Sequence, residues 1–200
     1  MKKYMIWLLG GIVICVLIFL PIKYSDVTNN FIAMFKNEYF YRITGNSMYP
    51  TFNDKQMWYG YPCEKDSCWN NNLKRGDVVV IDIGNKDFFI KRIIGLPGEV
   101  VTIVGGNVYI NKNLLNEPYL QDQYSTLSQK YCTRYAIGND QLFVLGDNRR
   151  HSNDSRYLGV IKLSQVMAYS EYSRYQKGVE NPSVGTQTIN IDEKDCPLFQ

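Results

Sequence analysis

The sequence predicts an all-β protein preceded by one N-terminal transmembrane helix. Short runs rich in Val, Ile, Tyr and Phe recur across residues 39–161, each bounded by a cluster of turn residues. Helical 3.6-residue periodicity is weak over the same stretch. Ahead of it, residues 4–22 carry no charged side chain.

As a helix, residues 4–22 would extend about 28 Å, close to the roughly 30 Å hydrocarbon core of a bilayer. The run ends in Leu20-Pro21-Ile22-Lys23-Tyr24, without the small residues of a signal-peptide cleavage site, so a retained anchor is predicted. Lys2 and Lys3 precede it and Lys23 alone follows closely. The positive-inside rule then places residues 1–3 in the cytoplasm and everything after the anchor outside. No later segment is both long and charge-free, so one crossing is expected.

After a juxtamembrane segment, 23–38, strands are predicted at 39–43, 56–61, 77–83, 87–94, 100–104, 107–110 and 141–145. Asn53-Asp54, Lys74-Arg75-Gly76, Gly84-Asn85-Lys86, Leu96-Pro97-Gly98, Gly105-Gly106 and Gly138-Asn139-Asp140 supply the turns between them. Residues 39–104 and 137–175 read as a β core. Residues 105–136, polar and tyrosine-rich towards their end, read as a smaller inserted lobe. Residues 62–73 read as an exposed loop, and 176–200 as a polar tail, loose unless Cys196 anchors it.

The basic and acidic residues, 22 and 19, leave a net charge of +3 with no dense Lys/Arg cluster, so a nucleic-acid groove is not expected. Of five cysteines, Cys15 lies in the predicted anchor and Cys63, Cys68, Cys132 and Cys196 lie beyond it. In an oxidising compartment Cys63 could pair with Cys68 and Cys132 with Cys196, although sequence alone permits three pairings. Unpaired thiols and a four-cysteine zinc site are the other readings, the latter disfavoured by the isolation of Cys132 and Cys196.

Chemistry enters with Ser47, in Gly45-Asn46-Ser47-Met48-Tyr49-Pro50-Thr51. A nucleophilic serine needs a base, and the sequence offers two: His151, its only histidine, and Lys91, in Phe88-Phe89-Ile90-Lys91-Arg92-Ile93-Ile94. A solvated lysine is charged at neutral pH. It becomes a base only where burial lowers its pKa by roughly two to three pH units, and the apolar neighbours of Lys91 could do this. Taken singly, Lys91 reads as an edge-strand lysine that blocks aggregation, and Ser47 as a turn serine. His151, between Arg150 and Ser152, reads as a surface histidine.

Two further segments accompany these: Arg75-Gly76-Asp77-Val78-Val79-Val80, and Gly146-Asp147-Asn148-Arg149 continuing through Ser152, Asp154, Ser155 and Arg156 to Gly159. With the runs around Ser47 and Lys91, in this order and spacing, they resemble the conserved boxes of the type I signal peptidases, membrane-bound serine/lysine proteases. The resemblance covers most of residues 41–159, and Asn107-Val108-Tyr109-Ile110-Asn111 with Leu115-Asn116-Glu117-Pro118-Tyr119 looks like the variable lobe of that family.

The resemblance implies a signal-peptidase-like β-fold with a catalytic core and a smaller inserted lobe. It makes Ser47 the nucleophile and Lys91 the general base, with the Ser152 hydroxyl hydrogen-bonding and orienting the lysine amine. Asp154 and Arg156 match a structural ion pair, and Asp147 and Arg92 match polar supports. Gly45 replaces the serine by which some members assist the oxyanion hole, leaving the backbone N–H of Ser47 as the donor carried over. No metal and no organic cofactor is implied.

The implied activity is endopeptidase cleavage of N-terminal signal peptides from exported preproteins, after small residues, on the outer side of the bacterial cytoplasmic membrane. Ile43 and Thr44 would line the substrate pockets, the substrate adding as a strand. The phospholipid bilayer is an expected partner, and secretion or conjugation machinery a further one. Met48, Phe52, Met57 and Trp58 either rest on that bilayer or are core. Two other readings are a specialised peptidase of the same chemistry, maturing one secreted protein or pilin of a transfer system, and a non-catalytic β-module held at the membrane.

Overall fold

The computed structural model describes residues 39–63, 73–85, 87–120, 132–172, 180–189 and 196. The predicted anchor at 4–22 and juxtamembrane segment at 23–38 lie outside them. No described helix is long and apolar enough to cross a membrane.

The described chain is almost entirely strand: β1 Tyr39–Arg42, β2 Met57–Pro62, β3 Val78–Asp82, β4 Phe88–Gly95, β5 Val100–Val104, β6 Asn107–Ile110, β7 Asn113–Asn116, β8 Thr133–Ala136, β9 Gln141–Leu145, β10 Ile161–Lys162, β11 Val166–Ser170 and β12 Ser183–Thr188, with one short helix, α1 Ser155–Leu158. Each predicted strand is present within one or two residues of its expected ends. Sequence reading missed β7, β8, β10, β11 and β12.

The strands form two sheets, ordered β1-β2-β11-β3-β4-β9-β10 and β12-β7-β6-β5-β8. In the first, β3 and β4 pair antiparallel with Val79 opposite Lys91 and Val80 opposite Ile90. Val78, Val79, Val80 and Ile81 are all buried, as β-branched residues covered on both faces should be. Alternation along β3 divides the core: Val79 and Ile81 join Ile93, Val144 and Val166 on one face, while Val78 and Val80 join Ile43, Met48, Phe52 and Trp58 on the other. Met48, Phe52 and Trp58 are therefore core, whereas Met57 is 52% exposed.

The second sheet encloses its own cluster around Val101, Ile103, Ile110 and Tyr135. It differs from the sequence reading at both ends. It begins at Val100, ahead of the expected lobe at 105–136, because β5 pairs with β6 and β8. It also takes in β12, from the segment read as a polar tail, which pairs antiparallel with β7. Every residue of β12 is exposed, so backbone pairing rather than side-chain burial holds it.

Cys196 is buried and disulfide-bonded to Cys132, 64 residues away, just ahead of β8. The tail is thus tied to the sheet by β12 and by this bond. Cys63 is also disulfide-bonded, and Cys68 lies outside the described residues. Closing a loop of that length removes chain entropy worth about 4 kcal/mol from the unfolded state. Cys132→Ser and Cys196→Ser should each lower stability in urea denaturation by about that amount. The double variant should lose no more than either single one.

Candidate active site

Ser47 lies in the turn between β1 and β2. Ile43 N–H donates to the carbonyl of Gln56 and Lys55 N–H to that of Ile43, closing the loop at its base. Gly45 N–H donates to Asp54 Oδ1 at 2.8 Å. The φ of Gly45 is +88°, in the left-handed region where a side chain is strained, which accounts for glycine here and leaves no side-chain donor at position 45.

The 146–156 segment clamps this turn from the other side. Asn148 N–H donates to the Ser47 carbonyl at 3.0 Å, and Asn148 Nδ2 to that of Asn46 at 3.1 Å. Gly146 permits the approach: a Cβ there would stand 2.2 Å from Ser152 Oγ and 2.5 Å from the Ser47 carbonyl oxygen.

Lys91 comes from β4. Its Nζ is 2.9 Å from Ser47 Oγ and donates also to the Ile90 carbonyl at 2.8 Å. Only 3% of Lys91 is exposed. Burial pushes the amine down from 10.5 to about 8; the Asp154 and Asp147 carboxylates oppose that shift, and Arg156 adds to it. At pH 7 about a tenth of Lys91 is then neutral, enough to accept a proton. With the neutral amine as the active form, kcat/KM should rise about tenfold per pH unit up to pH 8 and level off above it. A pH–rate profile on a peptide substrate checks this.

The four charged residues expected to support the site form two ion pairs. Arg92 donates from Nε to Asp147 Oδ1 at 2.8 Å and from Nη2 to Oδ2 at 2.6 Å, both residues being buried. Arg156 donates likewise to Asp154, at 2.7 and 2.8 Å. Asp154 also caps α1 through Arg156 N–H and accepts Gly146 N–H at 3.0 Å, so this pair fixes the backbone beside Ser47.

The expected Ser152–Lys91 hydrogen bond is not present. Ser152 is buried, but its Oγ has no hydrogen-bond partner. Its hydroxyl is packed against Gly146, while Lys91 Nζ is engaged by Ser47 and the Ile90 carbonyl. His151 is exposed, and no described hydrogen bond joins it to Ser47.

Sequence reading missed a layer behind these residues. Thr51 Oγ1 donates to Asp147 Oδ2 at 2.5 Å. The Arg92 guanidinium lies 4.1 Å from the centre of the Tyr119 ring, and buried Arg149 pairs with Glu117. Thr51, Glu117, Tyr119 and Arg149 all stand within the quoted motifs, but nothing in their spacing says that they meet.

Ser47 and Lys91 open onto a cleft of about 230 Å³ whose lining includes Ile43, Thr44, Ile90 and Asn153. Both expected substrate-binding residues are thus beside the reactive pair. Among the described residues β1 is an edge strand, paired with β2 alone. Residues 88–91 of β4 pair with β3, whereas pairing to β9 begins at Arg92. The cleft therefore lies against two unpaired backbone edges, which suit an extended peptide.

An all-β fold that holds a serine hydroxyl against a buried lysine amine, at a cleft with open strand edges, defines the serine–lysine class of hydrolase. The sequence profile of the family described as signal peptidase, peptidase S26, matches residues 8–173. The chain belongs to that family. It is 36% identical over 141 residues to a Signal peptidase I of Bacillus amyloliquefaciens, covering 66% of this chain and 73% of that one. Signal peptidase I S of Bacillus subtilis strain 168 is 34% identical over 144 residues, 68% and 76% of the two chains. A crystal structure of a signal peptidase I from Enterococcus faecalis V583 aligns with a TM-score of 0.44 at 30% identity, over 50% of this chain and 98% of that one.

Proposed function

We propose that this protein is a membrane-anchored serine endopeptidase that removes N-terminal signal peptides from exported preproteins, with Ser47 as nucleophile and neutral Lys91 as general base. The observation that carries the assignment of roles is the 2.9 Å contact between Ser47 Oγ and Lys91 Nζ, both lining the cleft.

The segment ahead of the cut enters as a strand between the open edges of β1 and β4, its side chains alternating towards Ile43 and Ile90. Small residues at the first and third positions before the cut fit there. Ser47 Oγ attacks the scissile carbonyl carbon as its proton passes to Lys91 Nζ. The Ser47 backbone N–H steadies the oxyanion. Lys91 then returns the proton to the leaving amine, giving an acyl-enzyme. Next it takes a proton from water as the hydroxide attacks the ester carbonyl, and gives it back to Ser47 Oγ as the signal-peptide carboxylate departs. Arg92–Asp147 and Arg156–Asp154 hold the frame.

The bilayer completes the reading. Residues 4–22 form the anchor, with the N-terminus in the cytoplasm and the catalytic region outside. Phe40 and Met57, each 52% exposed, support a lipid partner near the start of the β region.

Ser47→Ala and Lys91→Ala should each abolish cleavage of a preprotein reporter, and His151→Ala should retain most of it. Loss of cleavage in His151→Ala, or full activity in Lys91→Ala, would overturn the assignment.

A further inference from the structure

Behind the Ser47 turn, outside the cleft, stands Asn148. It does not line the cleft; with Asn46, Tyr49, Asn53 and Asp54 it lines a separate depression of about 440 Å³. Only 5% of Asn148 is exposed, and its place is fixed on several sides. Its carbonyl accepts His151 N–H at 2.9 Å. Its neighbour Arg149 donates from Nε to the Gly146 carbonyl at 3.1 Å and pairs with Glu117, just after β7.

From there Asn148 holds both carbonyls that flank the Ser47 backbone. Its N–H takes that of Ser47, and its Nδ2 takes that of Asn46 at 3.1 Å, which also accepts Tyr49 N–H at 3.1 Å. The Asn46 carbonyl belongs to the same peptide group as the Ser47 N–H, and in a trans peptide the two point in opposite directions. A donor that holds the carbonyl from behind therefore aims the N–H the other way. Hydrogen bonds to the carbonyl also polarise the group and make that N–H a stronger donor. Gly45 offers no side-chain donor, so the aim of this one backbone N–H matters more here. Asn148 Oδ1 is buried and has no hydrogen-bond partner among the described residues. A side chain that only filled space would avoid that penalty.

We propose that the Asn148 side chain is a positioning residue for the oxyanion hole, orienting and polarising the Asn46–Ser47 peptide so that the Ser47 N–H meets the oxyanion. The inference rests on the reading of Ser47 as the nucleophile. Asn148 acts through the peptide group, touching neither the cleft nor Lys91. Its loss is therefore felt where negative charge develops on the substrate, and not where the substrate binds.

Asn148→Ala and Asn148→Asp keep the backbone N–H and remove the Nδ2 donor, the second also keeping the side-chain shape. The test uses the full chain in detergent, with a peptide carrying alanine at the first and third positions before the cut and rates taken per folded molecule. In both variants kcat should fall roughly ten- to a hundredfold, with KM within about twofold of the wild type. The pH midpoint of kcat/KM in Asn148→Ala should stay near 8, because the base is untouched. A peptide aldehyde of the same sequence separates orientation from packing. Ser47 Oγ adds to its carbonyl carbon as the Oγ proton passes to Lys91 Nζ and the carbonyl oxygen becomes the hemiacetal oxyanion. Its affinity should fall by about the same factor as kcat, whereas the matching peptide alcohol, which forms no oxyanion, should bind unchanged. Unchanged kcat in both variants, a loss carried by KM, or equal weakening of aldehyde and alcohol would overturn the positioning role and leave the peptidase reading intact. A wild type that neither cleaves the peptide nor binds the aldehyde would overturn both.

Discussion

Lys91→Met should inactivate the protein and at the same time make it more stable. The amine titrates at about 8 in the folded chain, against 10.5 for an ordinary lysine. Below pH 8 lysine is charged in both states, and burial penalises the folded one. At about 1.4 kcal/mol per pH unit, Lys91 destabilises the fold at pH 7 by about 3 kcal/mol. The penalty shrinks as pH rises from 8 to 10.5, because over that range the unfolded chain binds the additional proton, and it is gone above 10.5. Methionine keeps most of the side-chain volume and carries no charge. The variant should therefore gain about 2–3 kcal/mol in urea denaturation at pH 7, and should lack the rise in stability that the wild type shows between pH 8 and 10.5. Cleavage should fall by several orders of magnitude, since no other buried base lies beside Ser47 among the described residues. Equal stability of the two proteins at pH 7 would mean that Lys91 is not held against its charge.

Asp147→Ala has the opposite sign and a comparable size. It leaves the Arg92 guanidinium buried and without its carboxylate, facing the Gly76 carbonyl, Thr51 and the Tyr119 and Tyr172 rings, none of which carries a negative charge. Breaking one partner of a buried pair costs about 3–5 kcal/mol, a large share of a typical domain's 5–15 kcal/mol. Thr51 Oγ1 loses its acceptor as well. A paired Arg92→Met/Asp147→Leu replacement should recover most of the loss, because no charge is then left buried alone. Any residual activity of Asp147→Ala should have its pH midpoint below 8, since Asp147 favours the Lys91 ammonium. An unchanged midpoint would separate Asp147 from the electrostatics of the base.

The predicted strands were legible because their burial writes itself into the sequence: Val78-Val79-Val80-Ile81 has apolar neighbours on both faces and little else to be. The missed strands differ physically. β12, Ser-Val-Gly-Thr-Gln-Thr, is exposed throughout, and β7, Asn-Leu-Leu-Asn, is polar at both ends. Short strands of this kind are held by backbone pairing, which leaves little compositional trace. β11 does alternate between buried and half-buried positions, but it lies beyond the stretch read as strands and turns.

At the site, Ser47 and Lys91 were legible as a candidate pair through the four motifs that resemble the signal peptidases, since taken singly they read as a turn serine and an edge-strand lysine. Their contact was not, because 44 residues of chain separate them. The Ser152 hydroxyl shows the limit most plainly. The motif supplied the residue, but whether it reaches Lys91 depends on the packing of Ser152 against Gly146 and on what else engages the amine. Arg149 and Glu117 illustrate the same point, as a pair formed between a loop and a lobe with no periodic signal connecting them.

The most direct measurement is the titration of Lys91 itself, followed through its side-chain carbon signals in protein carrying labelled lysine, assigned by comparison with Lys91→Met. One lysine should titrate near 8, well apart from those near 10.5, and its signal should be absent from the variant. If every lysine of the wild type titrates near 10.5, the amine beside Ser47 is charged at neutral pH and cannot serve as the base.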